Sequence, residues 1–331
     1  MQEGHLSRNS LEQEIMDYRP FGTTDLHPSV IGFGCSRIAS LHNLYTQQEN
    51  ISLIHKALDM GINFFDTADS YGCGDSERLL GKAVRGARDK LILCSKAGYH
   101  FGPVQRIARW VKPLAKRILG KVPATQSPAL IVRNQASRQN FSPVYIKTAI
   151  EGSLRRLGTD YLDLFLLHSP PSSVLKDGEI FETLENLKDK GMLRYFGVSC
   201  ATSGDALDCI KISHLSAIQM AVHPLENSTL QTLLPLAIEK SIPIIARQPF
   251  AGGTVFAYPP LLDLVKKNPS RTIAQTALKF VEQLDGVGVI LPGMSSLQHL
   301  HENCNVLSVP SLSGVEMRNL NSWVEKTAEK S

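Results

Sequence analysis

The stretch Tyr161-Leu-Asp-Leu-Phe-Leu-Leu-His168 decides the fold of this sequence of 331 residues. It is a nearly continuous apolar run of strand length that ends on a histidine. Continuous runs of this kind are typical of strands buried on both faces of a parallel sheet. A segment with helical periodicity, 180–190, follows it, and then a second apolar run, 194–199. This part of the chain therefore predicts a strand–helix–strand unit.

The same alternation continues in both directions along the chain. Strand-length runs lie at 30–35, 62–67, 91–96, 161–168, 194–199, 216–222, 242–247 and 287–292. Periodic segments lie between and after them, at 48–60, 76–84, 143–157, 180–190, 204–212, 230–240, 273–283 and 297–306. Eight strand–helix units in about 250 residues predict a (β/α)₈ TIM barrel, because each right-handed crossover returns to a neighbouring parallel strand.

A doubly wound open sheet is the competing α/β fold. That fold commonly carries a G-x-G-x-x-G phosphate loop after its first strand. Gly32-Phe33-Gly34 lacks the third glycine and the helix that should open directly after it. The pattern favours the closed barrel.

Composition points to a cytoplasmic globular protein. Hydrophobic residues make up 43% and charged residues 20% of the chain, which excludes a disordered or fibrous protein. No run of apolar residues reaches the length of a membrane span, and residues 1–30 lack the apolar core of a signal peptide. The six cysteines form no CxxC pair, so we expect reduced thiols and no metal site.

In such a barrel, the catalytic groups lie where the strands end. Asp66, Lys96 and His168 end the second, third and fourth predicted strands, and Tyr71 follows Asp66 by five residues. A lysine beside a phenol favours the phenolate, and we expect it to lower the pKa of Tyr71 toward neutrality. Tyr71 could then act as a general acid, with Asp66 holding Lys96 and with His168 donating to a carbonyl oxygen. Asp69 is interpreted as a structural residue of the turn.

Five segments together resemble the aldo-keto reductase family. They are Gly61-Ile-Asn-Phe-Phe-Asp-Thr-Ala-Asp-Ser-Tyr-Gly72, Leu93-Cys-Ser-Lys-Ala-Gly98, Ser153-Leu-Arg-Arg-Leu-Gly-Thr-Asp-Tyr-Leu-Asp-Leu-Phe-Leu-Leu-His168, Gly197-Val-Ser199 and Leu291-Pro-Gly293. The resemblance runs in order from about residue 18 to residue 306. It implies a barrel that binds a nicotinamide dinucleotide and transfers a hydride to an aldehyde or ketone. It also implies the roles given above for Tyr71, Lys96, Asp66 and His168.

The resemblance further implies a set of cofactor contacts at the strand ends. The positions that match are Ser199, Cys200, Gln219, Arg247, Gln248, Phe250, Gly252, Gly293, Ser295, Gln298 and Asn303. Cys200 stands where the family usually has Asn, and Arg247 stands where it usually has an aromatic residue. Residues 291–303 contain no Lys or Arg to pair with a 2′-phosphate. The resemblance therefore implies NADPH, with NADH as the alternative, and no metal.

The net charge of +4 is unevenly distributed. Segment 97–142 carries eight Lys and Arg residues and no Asp or Glu, so the remainder has a net charge of −4. This basic insertion after the third strand has helical periodicity around Trp110, interrupted at Pro113. One interpretation is a lid packed over the barrel mouth. The others are a docking site for an acidic protein or an anionic substrate, and a basic amphipathic helix on an anionic membrane surface. Nucleic acid is not expected.

The sequence therefore predicts one barrel domain at 18–331, an N-terminal extension at 1–17, and a C-terminal helix. An apolar strip formed by Leu312, Val315, Leu320, Trp323 and Val324 would serve as a barrel cover or as an interface. The function predicted is NAD(P)H-dependent reduction of a small carbonyl substrate, with Tyr71 as the acid. The alternative is a cofactor-binding regulatory subunit on the same barrel, with a membrane or acidic protein partner.

Overall fold

The barrel is seen in a computed structural model that describes residues 16–38, 45–101, 137–176, 178–212, 214–225 and 228–320. Eight parallel strands follow one another around one sheet. They are β1 (Phe33–Gly34), β2 (Phe64–Asp66), β3 (Ile92–Ala97), β6 (Leu162–His168), β7 (Leu193–Ser199), β8 (Ile218–Ala221), β9 (Ile244–Arg247) and β10 (Val287–Leu291). Each pairs with the next in parallel register, so every predicted strand is present.

The sheet closes between its first and last strands. Ile31 and Ile290 form a parallel bridge, and the amide of Gly32 donates to the Ile290 carbonyl at 2.8 Å. A Cβ at Gly32 would lie 2.8 Å from a Val289 side-chain atom, so the strands approach more closely here than a larger residue would permit. The predicted (β/α)₈ barrel is confirmed, and the open sheet is excluded.

Helices lie between the strands. They are α1 (Gln47–Asp59), α2 (Asp75–Ala83), α3 (Pro143–Leu157), α4 (Ser172–Lys176), α5 (Gly178–Asp189), α6 (Ser203–Cys209), α7 (Ser228–Glu239), α8 (Pro259–Lys267), α9 (Ile273–Glu282) and α10 (Leu297–Cys304). All eight predicted helices are present, whereas α4 and α8 were not predicted. Helix α8 begins with two prolines, which are tolerated there because a first-turn amide has no intrahelical bond to lose.

The barrel interior is a packed core. Its buried side chains include Phe64, Ile92, Leu164, Leu166, Ile245 and Val289. Phe21, fully buried, packs beside Phe64 with ring centroids 6.4 Å apart and closes the amino-terminal end of the barrel. Of the predicted extension, residues 1–15 lie outside the described residues, and Met16 is buried in the core.

The basic insertion leaves the barrel through a short hairpin. Strand β4 (Tyr99–Phe101) pairs antiparallel with β5 (Ser137–Gln139), and the Tyr145 hydroxyl donates to the Tyr99 carbonyl at 2.9 Å. The hairpin was not predicted. Residues 102–136, which carry the predicted helix around Trp110 and most of the basic residues, lie outside the described residues. The predictions of a lid, a protein dock and a membrane-binding helix fall on that segment.

Within the described residues, a helix at 314–320 follows the barrel. Arg271 holds its start by donating to the carbonyls of Pro310 and Ser311 and by pairing with Glu316. Leu312 and Leu320 of the apolar strip are buried, whereas Val315 is 58% exposed. Trp323 and Val324 lie outside the described residues. Across the described ranges, none of the helices combines the length and the apolar character that crossing a membrane requires.

Candidate active site

A buried ion pair lies at the carboxyl ends of β2 and β3. Lys96 Nζ donates to Asp66 Oδ1 at 2.5 Å and to the Thr67 carbonyl at 2.9 Å. Lys96 is 1% exposed and Asp66 is 4% exposed. Burial alone would lower the pKa of Lys96, but the Asp66 carboxylate reverses this and raises it above its ordinary value. Lys96 is therefore a permanent positive charge inside the barrel mouth.

Tyr71 stands beside this charge. Lys96 Nζ lies 5.2 Å from the centroid of the Tyr71 ring. Tyr71 begins a tight 3₁₀ turn, Tyr71–Gly74, in which Gly72 and Cys73 both have positive φ. Of six non-glycine residues with positive φ in the described ranges, four follow barrel strands at this same end: Cys73, Ser169, Gln248 and Ala251. Such strain concentrates at functional sites, which supports a site at this end.

The expected lowering of the Tyr71 pKa is wrong for this structure. Burial raises the pKa of Tyr71 above its ordinary value of 10.0, and the opposing effect of the Lys96 ammonium does not overcome it. The physical reason is twofold, since the phenol is desolvated and the Asp66 carboxylate opposes part of the effect of the ammonium charge. Tyr71 thus holds its proton firmly at neutral pH.

His168 lies between two tyrosine rings. Its ring is perpendicular to that of Tyr71, with centroids 6.0 Å apart, and to that of Tyr99, at 4.8 Å. The Ser70 hydroxyl lies 3.5 Å from His168 Nδ1. Burial lowers the pKa of His168 to about 3, with the charges of Lys96 and Arg247 acting in the same direction. The imidazole is therefore neutral and carries a single N–H.

Two of the residues expected to bind cofactor extend the ion pair into a chain of hydrogen bonds. Ser199 Oγ donates to Gln219 Oε1 at 3.0 Å, and Gln219 Nε2 donates to Asp66 Oδ1 at 2.8 Å. Both side chains are buried, Ser199 at the end of β7 and Gln219 at the second position of β8. The structure thus connects the predicted catalytic residues with the predicted cofactor contacts, since Lys96 and Gln219 both donate to Oδ1 of Asp66.

The side chains of Cys200 and Arg247 are engaged with their own neighbours. Cys200 Sγ lies 3.5 Å from Cys209 Sγ, and both thiols are free and buried. Arg247 Nη2 donates to the Cys200 carbonyl at 2.9 Å, while Nη1 donates to Gln248 Oε1 at 2.8 Å. Arg247 therefore ties the end of β9 to the loop after β7.

The loop after β9 is open at its glycines. Gly252 and Gly253 have φ of 66° and 108°, and a Cβ on either would meet no atom within 4 Å. Phe250, expected to contact the cofactor, packs on Phe256 with ring centroids 5.8 Å apart. The Gly253 amide donates to the Phe250 carbonyl at 2.7 Å, so what the loop would offer a phosphate is an open backbone cradle, which a ligand can approach closely at these left-handed glycines. The cradle leaves open space at Gly252, one of the positions expected to contact the cofactor.

The segment after β10 carries four more of the positions expected to contact the cofactor, Gly293, Ser295, Gln298 and Asn303. Asn303 is buried and donates through Nδ2 to the Gly293 carbonyl at 3.3 Å, and space around Gly293 is open. Ser295 Oγ lies 3.2 Å from His299 Nδ1, and Gln298 is exposed on the first turn of α10. No Lys or Arg lies in this segment, so neutral groups and the helix amides would hold any phosphate here.

Sequence reasoning missed a second buried carboxylate behind the ion pair. Glu77, fully buried on α2, accepts from Ser95 Oγ at 2.7 Å and from Arg156 Nε at 2.5 Å. Ser95 directly precedes Lys96, so this network fixes β3 against α2 and α3. The signal was a Glu among the buried positions of an amphipathic helix, visible only once its burial is known.

Asp69 also differs from the simple turn residue that was expected. Its Oδ1 is buried and has no hydrogen-bond partner among the described residues. Burial, with the nearby Glu77 carboxylate, raises the pKa of Asp69 to about 8. Asp69 is therefore a protonated carboxyl at neutral pH, directly beside the site.

Comparisons with known proteins agree with this geometry. The Aldo/keto reductase family model matches residues 30–325. The chain is 26% identical to the uncharacterized oxidoreductase YqkF of Bacillus subtilis, over 95% of this chain and 99% of that protein. It superposes on the holo form of aldo-keto reductase AKR11C1 from Bacillus halodurans with a TM-score of 0.75 and 27% identity, covering 93% and 96% of the two chains.

A third relative is an aldo/keto reductase from Klebsiella pneumoniae, solved in complex with NADP and acetate. Its TM-score is 0.69 at 25% identity, with 94% of this chain and 96% of that chain covered. The family match spans most of the barrel and includes every strand that carries the site. The chain belongs to the aldo/keto reductase family.

Proposed function

We propose that this protein is an NAD(P)H-dependent carbonyl reductase that converts an aldehyde or ketone to an alcohol, with Tyr71 as the proton donor. The observation that carries the proposal is the buried Lys96 charge, held by Asp66 at 2.5 Å and lying 5.2 Å from the Tyr71 ring. A fixed ammonium, a phenol and a neutral imidazole together supply a charge, a proton and a hydrogen-bond donor for a carbonyl oxygen. Family membership supports the same reaction class.

Tyr71 would act as a general acid that already carries its proton before the reaction begins. Because its pKa lies above the ordinary value, the phenol keeps its proton through the physiological range. As the substrate oxygen gains negative charge, the proton moves from Tyr71 to that oxygen and a phenolate remains. The Lys96 ammonium stabilises this phenolate, so its charge acts most strongly in the transition state.

His168 would orient the carbonyl group. A neutral imidazole has one N–H to donate and adds no positive charge that would compete with Lys96. The rings of Tyr71 and Tyr99 hold the imidazole edge-on at 6.0 and 4.8 Å. Tyr99, at the root of the hairpin, thereby becomes a wall of the substrate pocket in this proposal.

The cofactor would be held by groups from β7, β8, the loop after β9 and helix α10. Ser199 and Gln219 offer the polar pair for a carboxamide, Gly252 and Gly253 the cradle for a pyrophosphate, and Asn303 an amide for the adenine. When bound, the reduced dinucleotide supplies the hydride. We propose NADPH, supported by the relative from Klebsiella pneumoniae solved with NADP, and NADH as the alternative.

Substitution of Tyr71 by Phe tests the proposal. We expect Tyr71→Phe to lower kcat for a responsive aldehyde or ketone by about 10²- to 10⁴-fold, while the calorimetric affinity for NADPH is unchanged. Tyr18→Phe is the matched control, because the Tyr18 hydroxyl donates a hydrogen bond to the Gly61 carbonyl at the opposite end of the barrel. Full activity in Tyr71→Phe would refute the role of Tyr71. If the wild type bound the cofactor but reduced no carbonyl compound, the proposed reductase activity would be refuted.

A further inference from the structure

A basic groove lies on the outside of the barrel, between the carboxyl-terminal ends of α2 and α3. Its volume is about 290 Å³. Six cationic side chains line it: Arg78, Lys82, Arg85, Arg88, Arg155 and Arg156. Among the described residues no Asp or Glu lines it. Helices end at the amino-terminal side of a barrel, so this basic groove is remote from the Tyr71 site.

Three of the six cations are already committed to the fold. Arg88 pairs with Asp163 at 2.8 Å and donates to the carbonyls of Leu91 and Tyr161. Arg156 pairs with the buried Glu77 at 2.5 Å. Arg78 pairs with Asp75 one turn earlier on α2, at 3.3 Å. These three arginines shape the walls of the basic groove, and carboxylates neutralise their charges.

The remaining three have no such commitment. Lys82, Arg85 and Arg155 are exposed, and none of them has an ion pair or side-chain hydrogen bond within the described part of the chain. Cations in the last turn of a helix are favoured by the helix dipole, which accounts for Lys82 and Arg155. It does not account for Arg85, which lies beyond the end of α2, nor for the convergence of all three on one concavity.

The backbone of the basic groove is also open. Gly81 brings α2 against the Leu157 carbonyl, so the two helix ends converge. Gly86 and Gly158, in the loops that follow the two helices, have φ of 85° and 70°, and a Cβ on either would meet no atom within 4 Å. Val84, Leu93 and Leu157 complete an apolar floor. A ligand can therefore approach both loops closely.

We propose that this basic groove binds a small organic phosphate. A guanidinium group can donate two parallel hydrogen bonds to the oxygens of one phosphate. Arg85 and Arg155 each offer one guanidinium group, and Lys82 adds an ammonium group beside them. The volume lies near the lower limit for small-molecule pockets, which suits a compact phosphorylated molecule. The site is independent of the proposed carbonyl reduction.

Calorimetric titration with inorganic pyrophosphate tests the proposal. One molar equivalent of NADPH is present at constant ionic strength, so that the cofactor site is occupied and no excess dinucleotide competes for the basic groove. We expect one binding event that survives NADPH and weakens at least about tenfold in the combined variant Lys82→Gln, Arg85→Gln and Arg155→Gln, because charge-assisted hydrogen bonds are lost.

The control variant removes the same formal charge elsewhere, by Lys211→Gln, Lys266→Gln and Lys267→Gln, three exposed lysines outside the basic groove. Its affinity for pyrophosphate should match the wild type. Equal weakening in both variants would show a general charge effect and overturn the proposal. So would a wild type that binds no pyrophosphate once NADPH is present. Circular dichroism of each variant confirms that the helices remain folded.

Discussion

Asp66 Oδ1 accepts two hydrogen bonds from buried donors, Lys96 Nζ at 2.5 Å and Gln219 Nε2 at 2.8 Å. One oxygen thus neutralises the ammonium and also fixes the amide that leads to Ser199. A buried charge left without its partner costs several kcal/mol, because neither water nor a second ion replaces it. Asp66 therefore couples the proposed proton donor to the proposed cofactor contacts.

Asp66→Asn should lower the free energy of unfolding by about 3–5 kcal/mol, because it leaves Lys96 buried and uncompensated. Urea unfolding measures this loss. Asp66→Asn combined with Lys96→Met removes both charges and should recover most of the stability, while carbonyl reduction stays abolished in both variants. If Asp66→Asn alone unfolded at the same urea concentration as the wild type, Lys96 would have another counter-charge.

The pH dependence of reduction should follow the raised pKa of Tyr71. Reduction needs the protonated phenol, whose pKa lies above the ordinary value of 10.0 because of burial. The rate of the chemical step should therefore stay level from neutral pH to at least about pH 9, and fall only when the phenol ionises. Single-turnover rates across this range measure it. A decline centred between pH 6 and 8 that persists in Asp69→Asn would mean that Lys96 lowers the pKa of Tyr71 after all.

Stability should depend on pH through Asp69. Its carboxyl has a pKa of about 8 when folded, against an ordinary value of 3.8. Between these values the unfolded chain has released a proton that the folded chain keeps, so Asp69 lowers the free energy of unfolding as pH rises. The slope is at most about 1.4 kcal/mol per pH unit.

Asp69→Asn keeps the neutral form at every pH and removes this dependence. The variant should gain stability over the wild type progressively from pH 4 to pH 8, as measured by urea unfolding at each pH. Asp89→Asn, an exposed acid on the loop before β3, controls for the change in net charge. If the difference in free energy of unfolding between Asp69→Asn and wild type stayed constant across that range, Asp69 would be ionised in the folded protein.

The barrel was predictable because its strands are buried on both faces, and a continuous apolar run such as 161–168 is typical of strands buried in this way. The convergence of Asp66, Lys96 and His168 followed from the fold alone, since parallel strands end at one face. The pKa of Tyr71 was not predictable, because it depends on how completely the phenol is desolvated. Glu77 was missed for the same reason, since a single polar residue on a helix gives no sign of burial.

Contacts that depend on close approach were equally invisible in the sequence. Gly81 is an ordinary helix residue by its neighbours, yet a Cβ there would lie 2.2 Å from the Leu157 carbonyl oxygen and 2.6 Å from its carbon. Both atoms belong to the backbone of α3, so no side-chain rotation relieves the clash. Gly81 therefore sets the distance between α2 and α3, and with it the position of Arg156 on Glu77.

Gly81→Ala should separate α2 from α3 and lower the free energy of unfolding by about 1–3 kcal/mol, the usual cost of overpacking. Gly178→Ala is the matched control, because Gly178 begins helix α5 and a Cβ there would meet no atom within 4 Å. That control should be neutral or gain up to about 1 kcal/mol, because alanine favours the helix. Urea unfolding compares the two. If the free energy of unfolding of Gly81→Ala matched that of the control, α2 and α3 would have enough space between them for the added methyl group.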